Sequence, residues 1–190
     1  DKKVIRFSND RLSTKITSLF DTNNSGLTIF TVFKSTNIDG QKTILNLGTD
    51  QHRDDGTLNK NIELSYDTGA ENGIGNFGLH RGSGHATVVT ANTLENNKWT
   101  LSTTRIKTTG SAPENIDILI NGTKLKTYKD NDGFFSSGEY PTDLSELDIG
   151  ARNNQGNDTW DNHHSGDISE IIIIKGEIED TRKTLIHVYL

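Results

Sequence analysis

The sequence predicts an all-β antiparallel sandwich that ends in a short helix. Short apolar segments recur along the 190 residues, polar stretches separate them, and only 2 residues are Pro. These stretches are rich in Gly, Asn, Asp, Ser and Thr, which form turns between short strands. Such spacing is typical of sandwiches, and a chain of this length commonly forms one unit. We therefore expect a single β-sandwich domain over residues 1–190.

Nine segments have the composition of strands. In chain order they are Leu27–Lys34, Thr43–Gly48, Asn61–Asp67, Phe77–Arg81, Ala86–Ala91, Lys98–Lys107, Asn115–Tyr128, Leu144–Arg152 and Asp167–Lys175. The first of them, and the run Ile171–Ile174, are apolar on both faces, which predicts strands in the middle of a sheet.

Alternation with a period of two separates the faces of two of these strands. The residues expected to face inward are Ile62, Leu64, Tyr66, Leu147, Ile149 and Ala151. Those expected to face outward are Glu63, Ser65, Asp67, Glu146, Asp148 and Arg152. For the first strand, this pattern predicts that the polar residues face water.

Two local signals mark a hairpin and the terminal helix. Asn121-Gly122 follows the apolar run Ile116–Ile120, and this dipeptide favours the two positive φ angles of a type I′ turn. The segment Glu177–Asp180 is acidic and precedes Thr181–Leu190. Acidic residues favour a helix N-terminus, so a short helix is expected to close the chain.

The order of several short motifs resembles that of laminin-G-like, concanavalin-A-type jelly rolls. In that fold the last strand opens with a Gly-Asp-Ile-x-Glu motif and a short closing helix ends in Tyr-Leu. Here the matching residues are Gly166-Asp167-Ile168-Ser169-Glu170 and Tyr189-Leu190. Further matches are the Asn-Gly turn, Trp99-Thr100-Leu101 and the segment Leu147–Arg152. The resemblance covers roughly residues 27 to 190. It implies a jelly roll that is used for binding at cell surfaces more often than for catalysis.

The composition also resembles that of ligand-binding domains in bacterial RTX adhesins. The chain has no Cys, carries a net charge of -6 and is rich in Asn, Asp and Thr. This resemblance implies a calcium-dependent module of a large extracellular bacterial adhesin. Its partner would be a glycan or a protein or peptide on a host or neighbouring cell.

Composition excludes several other classes of function. Without Cys there are no disulfides, thiolate metal sites or cysteine nucleophiles. The net negative charge argues against nucleic-acid binding, which needs clustered Lys and Arg. No apolar run approaches 18 residues, so no membrane insertion is expected. Met is absent even from position 1, so we expect a fragment of a longer protein. We also expect the isolated domain to be monomeric.

Calcium is the expected cofactor. It takes six to eight oxygen ligands, mostly from loops. Three loops supply such oxygens, at residues 54–56, 130–133 and 153–161. The candidate ligands are Asp54, Asp55, Asp130, Asp132, Asn153, Asp158 and Asp161. The second loop partly matches an EF-hand, but it lacks an acidic first position and a preceding helix. The alternative for all three loops is ordinary turn formation without a metal.

Two segments are candidates for ligand contact, the glycine-rich stretch Gly73–His85 and the long loop Asn153–Ser165. The candidate residues are His80, Arg81, His85, Arg152, Asn154, Trp160 and His163. Trp160 could stack on a sugar ring or plug the core beneath the loop. An Arg in the first stretch would suit a carboxylate. The alternative for that stretch is a strand bent by its glycines.

The adjacent pair His163-His164 lacks a further His or Cys at zinc-binding spacing. We therefore expect solvent-exposed, hydrogen-bonding histidines rather than a zinc site.

No catalytic motif is evident, so the sequence predicts a binding module and not an enzyme. The Glu-x-Asp-x-x-Glu pattern of glucanases is absent, because no second Glu follows Glu146-Leu147-Asp148. A Gly-x-Ser-x-Gly elbow is also absent. The alternatives are a structural spacer without a ligand or, less favoured, a glycan-active hydrolase.

Overall fold

A computed structural model describes residues 3–16, 26–48, 62–67, 76–81, 86–89, 94–107, 115–125, 128–129, 146–154 and 159–189. The strands within these ranges are β1 (Ile5–Ser8), β2 (Leu12–Lys15), β3 (Leu27–Ser35), β4 (Lys42–Leu47), β5 (Ile62–Asp67), β6 (Asn76–Arg81), β7 (Ala86–Val89), β8 (Trp99–Ile106), β9 (Ile116–Ile120), β10 (Thr123–Lys124), β11 (Tyr128–Lys129), β12 (Glu146–Ile149), β13 (Arg152–Asn154), β14 (Thr159–Asp161) and β15 (Ser165–Lys175). One helix, α1 (Asp180–Tyr189), follows the last strand.

The described strands form two large antiparallel sheets and a separate hairpin. The six-stranded sheet has the order β1-β15-β3-β8-β9-β10, and the seven-stranded sheet has the order β11-β7-β6-β5-β4-β12-β2. The hairpin pairs β13 with β14. The predicted all-β sandwich with a short C-terminal helix is therefore confirmed. No helix in the described part of the chain is both long and apolar enough to span a membrane.

The two large sheets pack face to face through aromatic side chains. Phe33 of the six-stranded sheet stacks on Tyr66 and Phe77 of the seven-stranded sheet, with ring centroids 6.4 Å and 5.9 Å apart. These rings belong to one continuous cluster of buried apolar residues that draws on both sheets. Burial of this apolar surface is the main favourable contribution to folding, and offset aromatic pairs add to it.

Several local predictions are confirmed. β3 lies between β15 and β8, so the strand that is apolar on both faces is central. Asn121 and Gly122 have φ angles of 50° and 81°, as a type I′ turn requires. Ile62, Leu64 and Tyr66 are fully buried in the core between the sheets, as their alternation predicts.

Other expectations were wrong. Glu63 and Ser65 were expected to face water, but both are fully buried on the face of β5 opposite the core, so that face is covered. His164 was expected at the surface, yet it is fully buried, and its ring makes edge contacts with Phe33 and Tyr66 between the sheets. Alternation assigns a residue to a face of a strand, but it does not reveal what packs over that face.

Additional strands lie where the sequence showed no clear strand pattern. β1 and β2 are short, largely exposed edge strands that pair with β15 and β12. The predicted loop Asn153–Ser165 contains the second strand of the β13–β14 hairpin. Edge strands and small hairpins bury little apolar surface, and they therefore leave a weak periodic signal.

Two glycines are required by close contacts within the sandwich. Gly150 has a φ of +84°, and a Cβ there would lie 2.5 Å from the Phe7 ring. Gly166 has a φ of +148°, and a Cβ there would collide with the Lys34 carbonyl oxygen. Both conformations strain any residue with a side chain. The second glycine lets β15 approach β3 closely at the end of the sheet.

Candidate functional site

The β13–β14 hairpin gathers five of the residues that the sequence suggested as a site. Its register pairs Arg152 with Asp161, Asn153 with Trp160, and Asn154 with Thr159. The chain then returns to β4, where the Thr43 amide donates to the Asn162 carbonyl at 2.7 Å and His163 forms a bridge with Thr43. The hairpin is thus anchored against the seven-stranded sheet.

Charged side chains link this hairpin to the sheet. Arg152 donates from Nε and Nη2 to the two carboxylate oxygens of Asp161, at 3.0 Å and 2.9 Å. Its Nη1 lies 3.7 Å from Oε2 of Glu63. Only 12% of the Arg152 side chain is exposed, so the guanidinium is held between two carboxylates. This arrangement makes an internal ion cluster, because Arg152 is largely buried.

Glu63 is the fully buried carboxyl group of this cluster. It accepts a hydrogen bond from Thr43 Oγ1 at 2.6 Å. Burial raises the pKa of Glu63, because desolvation disfavours the charged carboxylate and outweighs the opposing effect of Arg152. A buried charged group of this kind is stabilised only while its partners remain in place. The cluster therefore ties the hairpin to the fold.

Glu63 belongs to a row of polar residues that are paired across neighbouring strands of the seven-stranded sheet. Residues that pair directly in neighbouring strands share a face of the sheet. The row consists of Ser13, Asp148, Asn46 and Glu63. Asp148, Asn46 and Glu63 are fully buried. In the strand register, His80 pairs with Glu63 and Arg81 pairs with Ala86 at the end of β6.

Most of the residues that were expected to bind calcium lie outside the described ranges. Asp54, Asp55, Asp130, Asp132 and Asp158 lie there, as does the ligand candidate His85. Asn153 is placed in β13, and Asp161 is held by Arg152. Within the described ranges, no group of three His, Asp or Glu side chains could hold a metal ion. Calcium binding and the proposed ligand contacts stay predictions.

An open pocket lies on the opposite side of the sandwich, on the outer face of the six-stranded sheet. Its volume is about 420 Å³, within the usual range for small-ligand sites. The polar residues that line it are Arg6, Ser8, Lys34, Thr36, Asn97, Ser165 and Asp167. They come from the ends of β1, β3 and β15 and from the turn before β8.

Residues that are paired across four neighbouring strands form the floor of this pocket. Arg6 pairs with Asp167, Asp167 with Lys34, and Lys34 with Trp99, so four residues from four strands make one row on the outer face. The next outward row brings together the hydroxyl residues Ser8, Ser165 and Thr36. Helix α1 covers the other end of this face through contacts of His187 with Phe30 and Thr103.

Trp99 lies next to the pocket, paired with its lining residue Lys34, and 42% of the Trp99 surface is exposed. The ammonium of Lys34, which lines the pocket, lies 5.1 Å from the centroid of the Trp99 ring. Trp is usually highly buried, so an exposed indole beside a polar pocket is informative. Sequence reasoning noted Trp99 as part of a fold motif and did not connect it with Arg6 or Lys34. Those residues meet only through strand pairing.

No protein-family model matches the sequence, and no curated protein matches it significantly. Solved structures do resemble the fold. The CBM40 domain of the Ruminococcus gnavus IT-sialidase, bound to α2,3-sialyllactose, is 14% identical with a TM-score of 0.60, and the match covers 93% of this chain and 97% of that one. NanB sialidase from Streptococcus pneumoniae is 15% identical with a TM-score of 0.65, over 95% of this chain and 26% of that one.

A heptameric SAP-like pentraxin from Limulus polyphemus is 13% identical with a TM-score of 0.64, over 97% of this chain and 81% of that one. The chain thus spans about a quarter of the NanB sialidase but nearly all of the CBM40 domain. At such low identity the similarity concerns the fold alone. The chain shares the jelly-roll β-sandwich of these proteins.

Proposed function

We propose that this chain is a glycan-binding module and that its ligand binds in the pocket on the outer face of the six-stranded sheet. The exposed indole of Trp99, which lies beside the pocket residue Lys34, carries the proposal. An aromatic ring offers a flat apolar surface with a negative face, which suits the C–H face of a sugar ring. The fold supports the proposal, since the similar CBM40 domain is described as bound to sialyllactose.

The polar lining of the pocket complements such a ligand. Thr36 and Ser165 present hydroxyl oxygens 2.9 Å apart, and Asn97 adds an exposed amide. Sugar hydroxyls both donate and accept hydrogen bonds, as do these groups. A glycan in this pocket would therefore stack on Trp99 and bond to the hydroxyl row. A stacking platform with a few placed polar groups is a common design of small-ligand sites.

The geometry supports binding rather than hydrolysis. Most glycosidases use two carboxyl groups that flank the scissile bond. Among the described residues that line the pocket, Asp167 is the one carboxylate. Hydrogen bonds from Arg6 and Lys34 lower its pKa to about 2. An acid this strong is ionised at neutral pH and makes a poor proton donor.

The wider setting of the module is also part of the proposal. We infer a module of a large extracellular bacterial adhesin in which calcium binds the Asp- and Asn-rich loops. Calcium would then stabilise the fold without entering the pocket, where Asp167 already bonds to two cations. A cell-surface glycan is the favoured partner, and a peptide is the alternative that the binding experiment distinguishes.

The test is a combined array of glycans and peptides probed with tagged protein in calcium and in chelator. We expect glycan binding that falls about tenfold or more in Trp99→Ala, because aromatic residues that anchor a ligand often contribute this much. Leu12→Ala is the matched control, because Leu12 is also an exposed apolar residue but lies on the other sheet.

Glycan binding that Trp99→Ala leaves unchanged would place the site elsewhere. Capture of peptides alone would replace the glycan by a peptide ligand. Silence of the whole array, with positive controls working, would make the chain a structural spacer.

A further inference from the structure

Charge in the pocket is distributed in a way that glycan binding alone does not require. Arg6 donates from Nε to Oδ1 of Asp167 at 2.7 Å and from Nη2 to Oδ2 at 3.4 Å. Lys34 Nζ lies 2.8 Å from Oδ2 of the same carboxylate. Two cations thus share one anion, and the local charge is positive in a chain whose net charge is -6.

The anion lies beneath the two cations. The Asp167 side chain is only 4% exposed, whereas that of Arg6 is 76% exposed and that of Lys34 is 25% exposed. A guanidinium has five N–H donors and an ammonium has three, and Asp167 takes two from Arg6 and one from Lys34. Donors of these two exposed or partly exposed side chains beyond those three can serve an anionic ligand.

From this arrangement we propose that the ligand is an acidic sugar, with its ring on Trp99 and its carboxylate on Arg6 and Lys34. The inference rests on the proposed glycan-binding function and specifies its ligand. Lys34 connects the two parts, because its ammonium lies 5.1 Å from the Trp99 ring centroid. A carboxylate attached directly to a stacked sugar ring comes within reach of that ammonium. Asp167 holds both cations in place and partly neutralises their positive charge.

The experiment uses a pair of ligands that differ only in charge. Methyl β-glucuronide carries a carboxylate where methyl β-glucoside carries a hydroxymethyl group, and sodium acetate supplies the carboxylate without the ring. The chain has 2 Trp residues, so Trp160→Phe leaves Trp99 as the sole tryptophan fluorophore. We expect the glucuronide to change Trp99 fluorescence and to bind about tenfold tighter than the glucoside, as a charge-assisted contact predicts.

Variants of the row test the roles of the charges. Arg6→Gln and Lys34→Met should each weaken glucuronide binding about tenfold and weaken glucoside binding much less, because the glucoside has no carboxylate to lose a charged partner. Lys98→Ala is the matched control, because Lys98 lies beside Trp99 in sequence but pairs with Glu95 outside the pocket. It should bind like the parent protein.

The substitution Asp167→Asn distinguishes an electrostatic role of Asp167 in ligand binding from a purely structural role. The Asn side chain keeps a hydrogen-bond acceptor for Arg6 and Lys34 but removes the negative charge of Asp167. Glucuronide binding should therefore become about fourfold tighter at low salt, from the loss of one like charge roughly 5 Å away in a water-like medium. The gain should shrink as salt is raised, since these groups are near the surface. Melting curves of all variants confirm that they fold.

The outcomes separate this inference from the proposed function. Equal affinity for glucuronide and glucoside, with a response of Trp99, would overturn the acidic ligand and leave glycan binding intact. Acetate binding as tight as that of the glucuronide would show a simple anion site and would overturn the sugar. Unchanged affinity in both Arg6→Gln and Lys34→Met would exclude these cations. Absence of binding to every sugar would overturn both proposals.

Discussion

His164 should make this protein less stable in mild acid. Its imidazole lies between the sheets, where Nδ1 is 3.0 Å from the Tyr66 hydroxyl and its ring contacts Phe7 and Phe33 edge-on. Burial lowers the pKa of His164 from 6.5 to about 4, because desolvation disfavours the imidazolium. The unfolded chain therefore takes up a proton below pH 6.5, which the folded protein resists until about pH 4.

The size of the effect follows from proton linkage. Each unit of pKa difference corresponds to about 1.4 kcal/mol of stability per site. Between pH 7 and pH 5 the shift of His164 should cost about 2 kcal/mol, and by pH 4 about 3 kcal/mol. The pKa of His187 is also lowered by burial and adds a loss of the same sign, while the raised pKa of Glu63 opposes it.

The assay compares urea unfolding of the parent protein and His164→Asn at pH 7 and pH 5. Asn keeps an acceptor near the position of Nδ1 and does not titrate. The variant starts less stable because the smaller side chain packs poorly, but its free energy of unfolding should fall about 2 kcal/mol less on acidification. His187 and Glu63 cancel in this difference. Equal losses in the two proteins would refute a buried neutral imidazole.

Three further predictions concern packing, charge and metal. Gly166→Ala should lower the free energy of unfolding by roughly 2 kcal/mol or more, because the new methyl group would meet the Lys34 carbonyl; a melting temperature equal to that of the parent would contradict it. For Asp117, burial raises the pKa but hydrogen bonds from Lys124, Arg105 and Lys107 prevail and lower it to about 2. This contribution to stability is present above pH 3.8 and is lost as the pH falls toward 2, so Asp117→Asn should flatten the acid limb of the stability curve, and an unchanged limb would count against the ion cluster. Millimolar calcium should stabilise the fold by roughly 0.4–1.4 kcal/mol if one loop binds it with a Kd of about 10⁻⁴–10⁻³ M. Unchanged melting in chelator together with no heat of calcium binding would remove calcium from the proposal.

The main elements of the fold were predictable because their signals are local. The apolar character of β3 and β15 on both faces predicted central strands, and Asn121-Gly122 predicted its turn through backbone preferences of two adjacent residues. Side-chain alternation likewise placed Tyr66 inward. Such signals depend on neighbours within a few positions, so they can be read without knowing which strands pair.

The candidate site was not predictable in the same way. Arg6 and Asp167 are 161 positions apart, and neither forms a recognisable motif with Lys34 or Trp99. His163 and His164 are adjacent and similar, yet one reaches β4 and the other is buried in the core. These outcomes depend on strand register and on what packs over each face. Neither property is encoded in a short window.

The sequence by itself determined the fold class, the central strands, the Asn-Gly turn and the closing helix, since each follows from periodicity or backbone preference. Only the tertiary structure decided where the charges meet. Antiparallel pairing aligned Arg6, Asp167, Lys34 and Trp99 across four strands, and helix α1 left that end of the sheet open. The physical reason is that register is set by the packing of the whole sandwich, and a one-residue slip would turn each of these side chains to the opposite face.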